Sequence, residues 1–144
     1  MKLLACFLLL VFVPLKWETD FETAKKIAKD NNQLIFLNFS GSDWCAPCVA
    51  TKKNYFDSDA FNAMAKNRLV LLNADFPRKK KNQLTNEQTA KNEALAEKYN
   101  KEGYFPLTLI LDTNGKVLKS WKGKPEASVE QWVKEIKGVC DAHK

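Results

Sequence analysis

Cys45 and Cys48, in the run Trp44-Cys45-Ala46-Pro47-Cys48, are the residues of this chain best suited to covalent chemistry. Two thiols two residues apart can close a disulfide between themselves or pass two electrons to another one. The strand-like run Leu34 to Phe39 precedes them and helix-forming sequence follows, so the pair falls at a helix N-terminus. Unpaired backbone N–H groups and the positive end of the helix dipole there favour a thiolate over a thiol on Cys45. Cys48 lies one turn in and is expected to be shielded. Only a thiolate attacks, and only an exposed one meets a partner, so Cys45 reads as the nucleophile and Cys48 as the thiol that resolves the mixed disulfide. Ala46 and Pro47 open the active-site helix, where a proline forfeits no hydrogen bond.

The same residues admit a second chemistry. Cys45-x-x-Cys48 together with Cys140-x-x-His143 has the ligand types and spacing of a Cys3His zinc site, which would make the chain a metal-binding or structural module. Cys140, however, completes the apolar face of the last predicted helix, where a cysteine behaves as a small hydrophobe, and His143 lies past that face. The dithiol is therefore expected to work without metal or cofactor. Asp43, the nearest acid in sequence, reads as a loop carboxylate.

Length and charge narrow the partners. A chain of 144 residues, 45% hydrophobic, supports one core and leaves no room for a second domain. The net charge of +6 comes from lysines spread along helices and from Arg78-Lys79-Lys80-Lys81, a loop run that reads as solvated surface more readily than as a patch for an acidic partner. No nucleic-acid partner is expected, and the chain is read as a monomer. Lys2 followed by the apolar run Leu3 to Val13 resembles a secretory signal and is too short to span a bilayer. Residues 1–14 are thus a candidate signal or anchor segment, and 15–144 the folded domain. The location expected is periplasmic or otherwise exported, with a membrane tether as the variant, although no small-x-small cleavage site precedes Trp17.

The elements that must carry the dithiol follow from period and punctuation. Thr19-Asp20-Phe21-Glu22 has the form of a capping box, and Phe21, Ala24, Ile27 and Ala28 share one face of a helix ended by Asn31-Asn32. Leu34 to Phe39 is apolar almost throughout, as a strand covered on both faces would be. A short helix from the Asp57-Ser58-Asp59 caps through Asn67 and a strand Leu69 to Leu72 come next. A basic loop from Phe76 to Leu84 precedes the capping pattern Thr85-Asn86-Glu87-Gln88 and a helix to about Asn100. Tyr104-Phe105-Pro106 leads into the strand Leu107 to Leu111, and Asn114-Gly115 marks a hairpin returning along Val117 to Trp121. Ser128 caps a last helix with Val129, Trp132, Val133, Ile136 and Cys140 on its apolar face.

From about Leu15 to its C-terminus the chain resembles the thioredoxin-fold proteins, on two marks: Phe39-Ser40-Gly41-Ser42-Asp43-Trp44-Cys45-Ala46-Pro47-Cys48, and Tyr104-Phe105-Pro106-Leu107-Thr108 a strand and a helix later. The opening Trp17-Glu18-Thr19-Asp20-Phe21-Glu22-Thr23-Ala24 is similar to the exported subgroup related to periplasmic domains of transmembrane thiol-disulfide carriers. The resemblance implies an α/β fold, a mixed central sheet of four to five strands with helices on both faces. It implies a thiol-disulfide oxidoreductase that reduces protein disulfides outside the cytoplasm and is recharged by a membrane thiol-disulfide donor. It further implies a cis Pro106 facing the dithiol, with Trp44, Phe105 and Pro106 as the substrate-binding residues. Strongly oxidising relatives carry a histidine between the cysteines, where this chain has Ala46 and Pro47. A potential near the reducing end, roughly −270 mV, is expected. The chain departs from the family where a buried acid often underlies the dithiol (Asn38 and Phe39 are nearest), where a lysine often accompanies it (Leu71), and at Val49, commonly basic.

Overall fold

The computed structural model describes residues 14–143, so the candidate signal or anchor segment lies almost wholly outside the described residues, Cys6 included. The described chain runs β1 (Trp17–Glu18), α1 (Phe21–Asn31), β2 (Leu34–Ser40), α2 (Ala46–Thr51), α3 (Asp59–Ala65), β3 (Leu69–Asp75), α4 (Asn86–Tyr99), β4 (Leu107–Leu111), β5 (Val117–Lys122) and α5 (Val129–Ala142). A π-helical turn, Lys52–Phe56, continues α2, and a 3-10 turn, Lys80–Asn82, sits in the basic loop. The strands form one mixed sheet in the order β1-β3-β2-β4-β5. β1 and β2 run parallel to β3, whereas β4 is antiparallel to β2 and to β5.

Alternation along the strands divides the core into two layers. Leu34 and Phe36 of β2, Leu69 and Leu71 of β3 and Ile110 of β4 meet Phe61, Met64 and Ala65 of α3 and Trp132, Ile136 and Cys140 of α5. Ile35, Leu37 and Phe39, with Val70, Leu72, Ala74, Leu107, Leu109 and Leu111, face Ala24 and Ala28 of α1 and Leu95 of α4. The apolar face expected for α5 is therefore the one buried. Its Trp132 anchors an aromatic cluster, with ring centroids of Phe56 and Phe61 at 5.9 and 5.7 Å.

Local chemistry sets the ends of these elements, with some corrections to the sequence reading. Asp20, not Thr19, caps α1: its carboxylate accepts from the Thr23 backbone N–H at 2.8 Å, being one residue closer to the first free N–H groups. Asn32 ends α1 at φ 52°, a left-handed turn that asparagine tolerates. Thr85 caps α4, but Gln88 donates to the Thr19 carbonyl and to Asn92 instead of closing the box. Ser128 and Gln131 do form a reciprocal capping box on α5. α3 stops at Ala65, short of Asn67. β1 carries no sequence signal, since two residues show no period; Trp17 is held by pairing with Leu71 and by ring contact with Phe56 at 5.4 Å. Gly115, at φ 84°, makes the β4–β5 turn, and its carbonyl accepts from the Tyr99 hydroxyl at 2.7 Å.

Strand direction gathers the chemistry at one edge. β2 and β3 are parallel and end together, with Ser40 opposite Asp75, while antiparallel β4 begins there, with Leu107 opposite Phe39. Three segments converge as a result: the cysteine loop after β2, the basic loop after β3 and Phe105-Pro106 before β4.

Candidate active site

The cysteine loop turns sharply after β2. The Gly41 carbonyl accepts from the N–H groups of Trp44 and Cys45 at 3.2 and 2.9 Å, and Asp75 accepts from the Ser42 backbone N–H at 2.9 Å and from its hydroxyl at 2.5 Å. Cys45 is the N-cap of α2, its sulfur accepting from the Cys48 N–H at 3.3 Å, and Pro47 lies in the first turn. Cys45 and Cys48 are joined as a disulfide. The expected contrast in exposure is absent in this bonded form: Cys45 is 5% and Cys48 4% exposed. The Trp44 loop and the Phe105 segment cover the first sulfur, which stands 3.6 Å from the Phe105 carbonyl oxygen. The Phe105–Pro106 bond is cis.

Trp44 and Phe105 pack edge to face, with centroids 5.4 Å apart, and Phe76 meets Phe105 at 5.5 Å. The Trp44 indole N–H donates to the Phe76 carbonyl at 2.7 Å, which fixes the ring across the cysteine and basic loops. Both aromatics are half-buried and line surface grooves beside the dithiol.

The basic loop is tied to this edge. Asp43 accepts from the Arg78 N–H at 2.9 Å, the Lys79 N–H at 3.0 Å and the Asn82 side-chain amide at 2.9 Å. Those bonds, the Arg78 N–H first, hold its carboxyl below the usual carboxylate range. The Arg78 guanidinium lies 3.7 Å from the centroid of the Trp44 ring. No local pattern marks this loop-to-loop clamp, because Asp43 and Arg78 are brought together only by the pairing of β2 with β3.

Beneath Cys48 the sheet face changes character. The apolar row of β2 ends at Asn38, whose side-chain amide donates to the Asn73 oxygen at 3.0 Å and whose oxygen accepts from the Thr108 hydroxyl at 3.2 Å. Asn38 and Thr108 are buried. Asn38 and Asn73 line a cavity of about 270 Å³ together with Cys48, Trp17, Phe56 and Lys52, the last paired with Asp57 at 2.8 Å. Neutral amides and a hydroxyl form the polar layer under the resolving sulfur.

Cys140 and His143 are not brought to this edge. Cys140 is buried in the cluster that includes Leu34 and Leu69, at the opposite ends of β2 and β3, and His143 Nδ1 lies 2.8 Å from the Val139 carbonyl. No group of three or more His, Cys, Asp or Glu side chains is placed to hold a metal ion among the described residues. The Cys3His arrangement therefore has no geometric basis.

Comparison with known proteins fits this edge. The thioredoxin-like family model matches residues 16–113. A curated relative, disulfide bond reductase DsbH of Chlamydia pneumoniae, is 36% identical over 104 residues, covering 72% of this chain; the chain spans 60% of that relative's length. A solved DsbH oxidoreductase superposes with a TM-score of 0.80 at 30% identity, over 90% of this chain and 86% of the other. A thioredoxin from Thermus thermophilus superposes with a TM-score of 0.67 at 15% identity, over 89% and 88% of the two chains, a likeness of fold.

Proposed function

The chain belongs to the thioredoxin-like family, and on that footing we propose that it is a thiol-disulfide oxidoreductase that reduces protein disulfides through Cys45 and Cys48. The observation that carries this is the bonded Cys45–Cys48 pair at the N-terminus of α2, facing Phe105 and Pro106. The DsbH relatives, one named a disulfide bond reductase and the other an oxidoreductase, support the same direction.

In the reduced protein the Cys45 thiolate attacks one sulfur of the substrate disulfide. A Cys45–substrate bond forms and the other substrate sulfur leaves as a thiolate. Cys48 then gives up its proton and attacks the Cys45 sulfur, which closes the Cys45–Cys48 disulfide and releases the second substrate thiol. Two electrons pass to the substrate, and its two sulfurs take up one proton from Cys48 and one from solvent. The Cys48 N–H, donated to the Cys45 sulfur at the start of α2, steadies the Cys45 thiolate in the first step, and again when Cys45 leaves a mixed disulfide during re-reduction. Trp44 and Phe105 supply apolar contact to the bound segment, and Pro106 holds Phe105 against the sulfur. A thiol-disulfide carrier in the membrane returns the protein to the dithiol form.

Lys2 and the apolar run Leu3 to Val13 support export, and no helix among the described residues is long and apolar enough to cross a membrane. Export predicts a processed or membrane-held chain in an extracytoplasmic fraction; full-length chain found in the cytosol alone overturns it.

The activity is tested with reduced protein and disulfide-bonded insulin. Wild type reduces it, Cys45→Ala does not, and Cys48→Ser accumulates a mixed disulfide that dithiothreitol releases. Undiminished reduction by Cys45→Ala, or a mixed disulfide that forms on Cys48 when Cys45 is absent, overturns the assignment of the nucleophile.

A further inference from the structure

Two grooves meet at Trp44. One is lined by Trp44, Phe76, Pro77, Arg78 and Phe105, the other by Asp43, Trp44, Cys45, Val49, Lys53 and Lys79. A chain segment crossing both passes over the first cysteine, meeting an apolar floor and a cation on either side of it. The cations beside these grooves are not neutralised by carboxylates, as several other surface lysines are. Lys26, Lys91, Lys119 and Lys137 pair with carboxylates on their own helix or a neighbouring element. Among the described residues, Lys53, Arg78, Lys79, Lys80 and Lys81 form no such ion pair.

Asp43 is the acid in these grooves. Its carboxylate is turned into the 78–82 loop by the three hydrogen bonds described above and is thereby committed to holding Arg78 and Lys79 in place. The next acid, Glu102, beside Gly103 at the groove edge, is paired with Lys122 at 2.9 Å. Stacking on Trp44 fixes the Arg78 guanidinium in one position before any partner arrives, which lowers the ordering cost of using it.

We propose, resting on the reductase reading above, that the site selects disulfides carried in acidic extended segments, whose flanking carboxylates are received by Arg78 on one side of Trp44 and by Lys53 and Lys79 on the other. The polypeptide, rather than a small disulfide, is the occupant, because the cations flank the sulfur along two grooves instead of surrounding one pocket. Complementary charge of this kind raises the encounter rate and suppresses partners of the wrong sign, and both effects weaken with salt.

The test uses three synthetic peptides containing the same intramolecular disulfide, flanked by Asp and Glu, by Ser and Gly, or by Lys. The kcat/KM of the reduced full chain is measured at low and at physiological salt. The acidic peptide is expected to exceed the basic one by roughly tenfold at low salt, with the ratio shrinking as salt rises. In Lys53→Glu/Lys79→Glu the ratio falls roughly tenfold, whereas Lys116→Glu/Lys134→Glu, with the same change of net charge on the far hairpin and on α5, keeps it. Equal rates with all three peptides overturn the proposal and leave the reductase reading standing. A ratio unchanged in Lys53→Glu/Lys79→Glu overturns the assignment of these cations, and failure to reduce any peptide overturns both readings.

Discussion

Gly41→Ala offers a test of the site's construction that leaves both sulfurs untouched. A Cβ on Gly41 would fall among Cε2, Cζ2 and Nε1 of Trp44, closer than non-bonded atoms can approach, so the indole must leave its place or the loop must shift. Leaving removes the indole N–H bond to the Phe76 carbonyl, worth about 1 kcal/mol. It also removes the edge-to-face contact with Phe105, about 0.5 to 1.5 kcal/mol, and the Arg78 stack, about 0.5 to 1 kcal/mol at an exposed site. The sum is about 2 to 3.5 kcal/mol, read as a lower urea midpoint with the slope unchanged. In a Trp44→Ala background there is no ring to displace, and the same substitution should cost less than about 0.5 kcal/mol, an explicit coupling between the two positions. An equal cost in both backgrounds, or a Gly41→Ala protein with wild-type stability, refutes the steric argument. The substitution should also lower kcat/KM for a peptide disulfide, since Trp44 forms part of both grooves beside Cys45.

Two further outcomes are expected. Asp20→Ala removes the α1 cap and should cost about 1 kcal/mol at neutral pH. Because the Thr23 hydrogen bonds and Lys91 lower the Asp20 pKa to about 2, its contribution is present above the ordinary carboxylate value near 4 and is lost as pH falls through about 2. The wild-type and variant stability curves should therefore converge in that window; parallel curves down to pH 2 contradict the assignment. Asn38→Leu leaves the Thr108 hydroxyl and the Asn73 oxygen without their partner in a buried layer and should cost about 1 to 3 kcal/mol in urea titration, whereas a neutral result would mean that water or another group takes over both bonds.

Residues close in sequence made much of this molecule legible. The Ser128 cap, the Asn114-Gly115 turn, the nearly continuous apolar run of β2 and the CxxC spacing each encode their own geometry over a few positions. What could not be read depends on pairs more than thirty residues apart. Asp43 and Arg78 meet because β2 and β3 end in register, and a carboxylate two residues before a cysteine carries no mark of the loop it will clamp. The basic run reads as solvated surface because nothing in Arg78-Lys79-Lys80-Lys81 reveals that a strand end lays it beside Trp44. Exposure of Cys45 failed as an expectation for a related reason: its cover comes from Trp44 and Phe105, and Phe105 lies sixty positions away.

The polar layer under Cys48 connects the fold to the direction of the chemistry. Asn38, Asn73 and Thr108 occupy positions on a sheet face that is otherwise Leu34, Phe36, Leu69, Leu71 and Ile110, so three apolar contacts are given up there for two hydrogen bonds. The layer carries no formal charge, and Lys52, the cation lining the cavity, is paired with Asp57. Neither sulfur therefore has an unpaired charged side chain on the cavity side to draw it toward one redox form. The stabilisation left for a Cys45 thiolate is the Cys48 N–H at the start of a six-residue helix and the solvent-screened field of Lys53 and Lys79 along the groove, with the Phe105 carbonyl opposing it from across the cleft. On the proposed reductase reading, a reduced form held by such modest means gives up its electrons readily. That is the behaviour required of a reductase, and it follows from what surrounds the two cysteines rather than from the spacing between them.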